Sequence, residues 1–348
     1  MLLYCDRQAF LNACKLAKRI ITNSLQAVLR IEGQLDMGCS IMGTNLEIAV
    51  QTRISDPLKS CVQKPGRCLV STKIIPMLAQ MPDDHVVIET TDGQCFIRGQ
   101  NCEFATPVEL PDEYPDFPAE PETWDTGIDT DTLYRMVQQG RVAVSTTKQP
   151  PPHVPTSVLV ERLDDELLLV GTDGRRLVIA KGPAKQLDSN TQPPILLPLN
   201  ALTLVPKSGP MTYLQSSHDC AWLKTGDCTI YTRLVNERFP RWRDVIPYDT
   251  TCHITLPPIR NLKHSLRQIA TVVDDENGRV TFTFKKYLLV LTAMGSTAQL
   301  PLNYHGETVI AHFDQKTVWD MLRTVDPDAS VNLQLKNNIA LFECPNYQ

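Results

Sequence analysis

Residues that could perform chemistry are scattered along this chain and form no recognisable catalytic pattern. The seven histidines stand alone, without the spacing that places two zinc ligands on one helix face. Thr172–Arg176 could suggest a phosphate loop, but Asp173-Gly174 between apolar strands is typical of a turn. The acidic run Asp274–Glu276 precedes Asn277-Gly278, which favours a solvated loop over a metal site. The sequence therefore predicts a protein that is not an enzyme and that has no cofactor and no metal.

Basic side chains, by contrast, recur at helical spacing on three predicted helices. For any one helix, a basic face is ordinarily only a solvated surface. Three such helices in a chain with a net charge of −5 indicate a positive surface that contacts phosphate groups without reading bases. The residues predicted to contact phosphate groups in this way are Lys15, Lys18, Arg19, Arg135, Arg141, Arg260, Lys263 and Arg267.

The elements that carry these helices repeat along the chain. Gly43-Thr44-Asn45 and Gly171-Thr172-Asp173 each end an apolar strand. Leu110–Phe117 has an echo in Leu234–Pro247, since both contain a leucine, an acid and two aromatic residues around a proline. The two pairs recur at nearly equal intervals, which indicates one long unit used more than once.

Each copy is predicted to contain a strand, a basic amphipathic helix, several strands, a second helix and further strands. In the first copy Asp6 caps a helix whose apolar face comprises Phe10, Cys14 and Ala17. The first copy ends in the acidic, proline-rich segment Pro111–Glu122, a predicted linker. The predicted domains span residues 1–122, 123–249 and 250–348, and the third lacks a last strand.

Composition indicates where the protein works. No apolar run approaches the roughly 18 residues that a membrane span requires, and Asp6 and Arg7 come too early for a signal-peptide core. The eleven cysteines include no Cys-x-x-Cys pair, which indicates free, mostly buried thiols in a reducing compartment. We therefore expect a cytoplasmic protein with no membrane contact.

Four segments together match the pattern of a known family. They are Gly43–Glu47, Glu113–Phe117, Thr172–Leu177 and Arg238–Pro247. In this order, and over essentially the whole chain, they resemble the bacterial DNA polymerase III beta subunit, the beta sliding clamp. The resemblance implies an α+β fold of three tandem DNA-clamp domains, each with two helices packed on antiparallel sheets.

The resemblance also implies a function. A clamp of this family is a ring-forming, head-to-tail homodimer that encircles double-stranded DNA of any sequence. It acts in DNA replication as a processivity factor, which tethers the replicative polymerase. The implied partners are therefore duplex DNA, a second copy of the chain, the DNA polymerase III catalytic subunit and the clamp loader.

Two sets of partner-binding residues follow from the resemblance. Polymerase and loader peptides are expected in a pocket formed by Pro155, Thr172, Gly174, Arg175, Arg176, Leu177, Pro240 and Val245. An open sheet edge at each end of the chain would let a second copy close the ring. The residues expected at that seam are Phe104 and Thr106 in the first domain, and Val272 and Val273 in the third.

Several departures indicate a divergent or C-terminally shortened member of the family. Arg175 replaces the usual histidine, and Asp244 replaces the usual second arginine. Pro206 shortens the second helix of the middle domain, and the terminal strand and tail of the family do not follow Tyr347. We therefore expect a weakened or altered pocket that accepts a short apolar peptide with little acidic character.

The sequence leaves two alternatives: a divergent clamp paralogue that serves as a DNA-bound scaffold without polymerase binding, and an enzyme built on a repeat fold.

Overall fold

The computed structural model describes residues 1–21, 27–108, 114–144, 156–188, 193–247, 252–270, 278–336 and 339–344. Two compact units divide the chain. Unit 1 comprises Met1–Tyr134 and Pro183–Asn236, and unit 2 comprises Arg135–Gly182 and Glu237–Gln348. The first predicted domain lies within unit 1 and the third within unit 2, whereas the residues of the second are divided between them.

The described elements repeat one general order three times: a strand, a helix, four or five strands, a second helix, and two or three further strands. The first copy contains β1 (Leu2–Asp6), α1 (Arg7–Lys18), β2 (Val28–Gln34), β3 (Gly38–Thr44), β4 (Ile48–Ile54), β5 (Ser60–Lys64), β6 (Gly66–Ser71), α2 (Ile74–Gln80), β7 (His85–Thr91), β8 (Gln94–Arg98) and β9 (Glu103–Pro107). The second contains β10 (Thr126–Ile128), α3 (Thr130–Gly140), β11 (Ser157–Leu163), β12 (Glu166–Thr172), β13 (Leu177–Gln186), β14 (Ile195–Pro198), α4 (Leu199–Leu202), β15 (Thr212–Ser216), β16 (Cys220–Thr225) and β17 (Cys228–Arg233). The third contains β18 (Cys252–Thr255), α5 (Ile259–Ala270), β19 (Arg279–Lys285), β20 (Leu288–Ala293), β21 (Ser296–Pro301), β22 (Val309–Asp314), α6 (Gln315–Leu322), β23 (Asn332–Lys336) and β24 (Ile339–Glu343).

Unit 1 is built from antiparallel sheets. One has the strand order β5-β1-β7-β8-β9, so that β5 and β9 are its edges. A second set of hydrogen-bonded strands in this unit has the order β10-β15-β16-β17-β4-β3-β2-β6. Within that set β4 pairs with β17, with Ile48 opposite Thr232 and Val50 opposite Ile230. This pairing joins a strand of the first copy directly to a strand of the second.

Helix α1 illustrates why these residues form this fold. The Asp6 side chain caps the helix by accepting a hydrogen bond from the Ala9 N–H at 2.6 Å. Phe10, Cys14 and Ala17 are buried as predicted, and the helix packs on β3 and β4. Its apolar face therefore closes the core of the first copy.

The two repeated glycines allow helices to approach strands closely. A Cβ atom at Gly43 of β3 would lie 2.6 Å from the Ala17 carbonyl oxygen of α1. A Cβ atom at Gly171 of β12 would lie 2.7 Å from the Gly140 carbonyl oxygen of α3. No side chain fits at either distance, so the same glycine serves the same helix–strand contact in the first two copies.

Unit 2 contains the α5 and α6 pair and two further antiparallel sheets. One sheet has the order β21-β20-β19-β22 and the other β18-β23-β24. Helix α5 packs on β20, β21 and α6, and Leu262, Leu266 and Ile269 supply its buried face. These observations confirm the α+β prediction of helices packed on antiparallel sheets.

Some local predictions were wrong. The sequence Ser71-Thr72 predicts a side-chain cap at the start of α2, but the residue at the cap position is Lys73, which makes no side-chain capping bond. No predicted strand covers β5, β6, β10, β14, β21 or β22. The predicted interruption of the second helix of the middle copy is confirmed, because α4 is only four residues long.

The described part of the linker is held against unit 1. Asp116 accepts a hydrogen bond from Arg30 at 2.8 Å. Glu120 lies 2.6 Å from Lys224 Nζ, 3.0 Å from Thr229 Oγ1 and 3.2 Å from Arg53 Nη1. Glu120 therefore connects the linker to both sides of the β4–β17 junction. Residues 111–113 lie outside the described part of the chain.

Candidate nucleic-acid and peptide interfaces

The basic residues of α1 face solvent. Lys15, Lys18 and Arg19 are exposed, whereas Phe10 and Cys14 of the same helix are buried. Arg19 donates a hydrogen bond to the Thr203 carbonyl oxygen at 2.6 Å, which holds its side chain in place. The three cations form a positive face that is free to meet an anion.

The predicted basic residues of unit 2 fall into two groups. Arg141, Arg260 and Arg267 are exposed. Arg260 forms an ion pair with Asp328, and the Arg267 guanidinium lies 4.9 Å from the centre of the Trp319 ring. These contacts orient both arginines while leaving them open to solvent.

Arg135 and Lys263 differ from the prediction of a solvent-facing position. Both are half-buried, and each donates to a backbone carbonyl: Arg135 to Lys181 at 3.4 Å and Lys263 to Val325 at 3.0 Å. Burial lowers the pKa of each side chain below its ordinary value. Both residues lie beside the apolar stripe of their helix. Part of each side chain therefore packs against the protein, and only the rest faces solvent.

One residue of the basic face was missed from the sequence. His264 is exposed, one turn after Arg260 and three residues before Arg267, so all three share a face of α5. The i, i+4 spacing from Arg260 was the available signal. His264 adds an exposed imidazole to that face.

The turn Thr172–Leu177 is organised by its own side chains. Thr172 Oγ1 donates to the Arg176 carbonyl oxygen at 2.9 Å. Asp173 Oδ1 accepts from the backbone N–H groups of Arg175 and Arg176, each at 3.0 Å. Gly174 has a φ of +81°, a conformation that favours glycine. The backbone of the turn is thus preset, with Arg175 exposed and Leu177 half-buried.

The second part of the predicted pocket is the loop around Trp242. A short 3-10 helix spans Trp242–Val245, and Arg243 Nη2 contacts both carboxylate oxygens of Glu161 at 3.0 Å. The Arg243 guanidinium also lies 4.1 Å from the centre of the Trp242 ring. Because Glu161 belongs to β11, which pairs with β12, the loop and the Thr172–Leu177 turn are both attached to one hairpin.

The exposed surface of this loop is mixed in character. Val245 is 54% exposed, and Pro240 and Asp244 are also exposed. Pro240 and Val245 supply apolar surface, whereas Asp244 adds a negative charge beside them. Pro155, predicted as a wall of the pocket, lies outside the described residues.

Comparison with known proteins gives the fold a name. No protein-family model matches the chain. The curated beta sliding clamp of Chlamydia muridarum is 23% identical over 293 residues, which cover 80% of this chain and 78% of the relative. That of Caulobacter vibrioides is 22% identical over 264 residues, with 72% and 69% covered. The chain is a divergent relative of the bacterial beta sliding clamps.

Solved structures agree over the whole length of the chain. A DNA polymerase sliding clamp from Bacillus subtilis has a TM-score of 0.87 and 18% identity, covering 99% of this chain and 96% of that one. A DNA polymerase III subunit beta from Pseudomonas aeruginosa has a TM-score of 0.85 and 18% identity, with 100% and 98% covered. The clamp fold, predicted as three tandem copies, is therefore confirmed.

The prediction that the chain is not an enzyme agrees with these relatives, because the name that they share describes a clamp and not a catalyst. Among the described residues, no group of three or more potential ligand side chains could hold a metal ion. Within the same residues, no helix is long and apolar enough to cross a membrane.

The residues predicted for the clamp dimer are only partly described. Phe104 and Thr106 lie on β9, an edge of its sheet, and both are half-buried. Val272 and Val273 lie outside the described residues. The edge position of β9 agrees with the prediction, and the contact itself stays a prediction.

Proposed function

We propose that the protein is a DNA sliding clamp. In this proposal, two copies form a closed ring around duplex DNA and tether the replicative polymerase as a processivity factor. The observation that carries the proposal is the exposed basic face of α1, together with that of α5, on a clamp fold whose net charge is −5. The cations are concentrated on α1 of the first repeat and α5 of the third. Such a concentration attracts a phosphate backbone more strongly than the same charges spread evenly over the surface would.

The DNA contacts are proposed to be phosphate contacts. Lys15, Lys18, Arg19, Arg141, Arg260 and Arg267 are the exposed members of the predicted set, and Arg135 and Lys263 contribute less because they are half-buried. Phosphate contacts make binding independent of base sequence and steeply dependent on salt.

A charge-reversal experiment tests the DNA contacts. Changing Lys15, Lys18 and Arg19 together to Glu should weaken association with short duplexes at least tenfold in 50 mM salt, a minimum for several lost phosphate contacts. The matched control changes Lys59, Lys64 and Lys73 of the same unit to Glu and should have a much smaller effect. Equal losses for the two variants, or a tenfold change on altering a single base pair, would contradict the proposal.

The dimer seam is proposed from the internal repeat. Strand β4 is the third strand after the first helix of its copy, and it pairs with β17, the last strand of the next copy. The corresponding strand of the third copy is β21, which is a sheet edge, and the last strand of the first copy is β9, also an edge. We therefore infer that β21 of one protomer pairs with β9 of its partner, in a head-to-tail homodimer.

An edge substitution tests this seam. Phe104→Asp introduces a charge onto β9 and should raise the dimer dissociation constant at least tenfold in analytical ultracentrifugation. Leu35→Asp is the control, because Leu35 is 62% exposed on a turn of the same unit and away from β9 in the strand order. A monomeric wild-type protein at micromolar concentration would contradict the proposal, as would a Phe104→Asp dimer of unchanged affinity.

The partner site is proposed to lie at the Thr172–Leu177 turn and the Pro240–Val245 loop. The implied occupants are peptides of the polymerase catalytic subunit and of the clamp loader. Leu177, Pro240 and Val245 supply apolar surface, and Gly174 lets a peptide backbone approach. Calorimetry with an acidic clamp-binding peptide should show tighter binding by Asp244→Arg than by the unmodified protein. An equal or tighter affinity of the unmodified protein would contradict this part of the proposal.

A replication clamp would act in the cytoplasm, where a bacterial chromosome lies. The three domains proposed for such a clamp span residues 1–122, 123–249 and 250–348. The repeat of the element order supports these boundaries, since each begins shortly before the strand that leads into a first helix.

A further inference from the structure

Arg176, one of the charged residues predicted at the peptide site, lies close to two carboxylates of its own chain. Its Nε donates to Asp173 Oδ2 at 2.8 Å. On the other side, its Nη1 lies 4.0 Å from Asp320 Oδ2 of α6. All three side chains are partly shielded from water, with exposures of 29%, 21% and 20% for Arg176, Asp173 and Asp320.

The two carboxylates have different tasks. Asp173 accepts two backbone hydrogen bonds in addition to the one from Arg176, so it maintains the turn. Asp320 makes no such contribution to the turn, since its other described partner is Arg323, with 3.5 Å between Arg323 Nε and Asp320 Oδ1. Asp320 can therefore be altered while the backbone of the turn keeps its own bonds.

This arrangement changes what the site can recognise. An acidic peptide side chain that approached Arg176 would be the third carboxylate around one guanidinium. Repulsion from Asp173 and Asp320 would offset much of the attraction, more strongly here than in open water because the groups are shielded. An uncharged amide or hydroxyl has no net charge to be repelled, and it can still accept a hydrogen bond from Arg176.

We propose that Asp320 is a specificity-determining residue that makes the peptide site select against acidic partners. The preferred occupant is an extended peptide with apolar side chains and an uncharged polar residue facing Arg176. The exposed Asp244 acts in the same direction from the neighbouring loop. This inference rests on the proposed peptide site and adds the chemical class of its ligand.

A pair of capped synthetic peptides tests the inference. Both have alternating apolar side chains, and they differ only in carrying Gln or Glu at one position. The wild-type protein should bind the Gln peptide at least threefold more tightly in calorimetry. Asp320→Asn should tighten binding of the Glu peptide about fivefold, the effect of a partly shielded charge, and change binding of the Gln peptide less than twofold.

Two further variants serve as controls. Glu166→Gln makes the same change of net charge at an exposed position of unit 2, and it should leave the preference for Gln over Glu unchanged. Asp320→Glu keeps the charge and should keep the preference, which separates charge from any damage to α6.

The outcomes separate this inference from the proposed site itself. If the wild-type protein binds both peptides equally and Asp320→Asn changes neither affinity, the inference is wrong and the peptide site stands. If Asp320→Asn and Glu166→Gln improve binding of the Glu peptide equally, only net charge matters and the inference is wrong. If the wild-type protein binds neither peptide, both the inference and the proposed site are wrong.

Discussion

Replacing Glu120 with Gln should weaken the junction between the first two copies. Glu120 is 18% exposed and faces Arg53 and Lys224, which are 33% and 32% exposed. Gln is nearly isosteric and can still accept one hydrogen bond from Thr229 or Lys224. The substitution therefore removes the charge from three interactions while leaving the packing of the linker almost unchanged.

The size of the effect follows from this partial exposure. Hydrogen bonds to charged groups contribute about 1.5–3 kcal/mol when well shielded, and exposed ion pairs contribute less than about 1 kcal/mol. Glu120 lies between these cases, so we expect a loss of about 1.5 kcal/mol. For a unit of this size, that corresponds to a decrease in Tm of about 3–6 °C.

The effect should depend on pH in a defined direction. Burial raises the pKa of Glu120, but Lys224, Thr229 and Arg53 together lower it by more than burial raises it. The pKa of Glu120 therefore lies below its ordinary value. A carboxyl group with a lowered folded pKa stabilises the protein above its unfolded pKa of about 4.3. That stability is lost as the pH falls through the folded pKa. The difference between wild type and Glu120→Gln should therefore be full at pH 7 and shrink below pH 4.3.

Thermal unfolding and amide hydrogen exchange across β4 and β17 together test this prediction. Exchange should quicken in those strands first, because their junction loses its anchor. Asp116→Asn is the control. Asp116 is also a linker residue and pairs with two arginines, Arg30 and Arg67, but it is 81% exposed, so the substitution should cost under about 0.5 kcal/mol. Equal effects of the two variants, or an undiminished Glu120→Gln effect at acid pH, would show that the Glu120 charge does not hold this junction.

Three other predictions concern the core, the turn and the thiols. Phe10→Ala should cost about 3–5 kcal/mol in chemical denaturation because Phe10 is fully buried; a loss under 1 kcal/mol would contradict its place in the core. Gly174→Ala should cost about 1–2 kcal/mol in the same assay because of the φ of +81°, and an unchanged stability would argue against that turn. Iodoacetamide at pH 8 should modify the exposed Cys61 well before Cys14, whose pKa is raised by burial; mass spectrometry showing equal rates would contradict the burial of Cys14.

Elements with local signals could be predicted from the sequence. Asp6 begins α1 as a capping residue, and Asp92-Gly93 forms the turn between β7 and β8 with φ values of +52° and +74°. The first and third basic helices also follow from their spacing alone. These features depend on residues close together in the chain, which is why a sequence pattern suffices.

Other strands lack such signals. Strands β5 and β6 are separated only by Pro65, so no polar loop marks the boundary between them. Strands β21 and β22 are sheet edges. Leu300 of β21 is buried, but every other residue of the two strands is half-buried or exposed, so their apolar pattern is weak. Tertiary pairing, not local preference, defines these elements.

The candidate site shows the same division. The Asp-Gly turn at 173–174 could be read directly from the sequence, whereas the contact of Arg176 with Asp320 joins positions far apart in the chain. The burial of Arg135 and Lys263 likewise depends on neighbours from other elements. Charge in a sequence thus indicated a basic surface, but not which cations are free to act.

Topological retention on DNA tests whether the protein acts as a closed ring around duplex DNA. The protein would be allowed to thread onto linear duplexes with biotin at both ends, after which streptavidin would cap the ends and the salt would be raised. A ring should stay on the capped DNA and leave the uncapped DNA, because raised salt abolishes phosphate contacts but does not open a closed ring. Equal loss from capped and uncapped DNA by a protein that remains dimeric at that salt would contradict the clamp account.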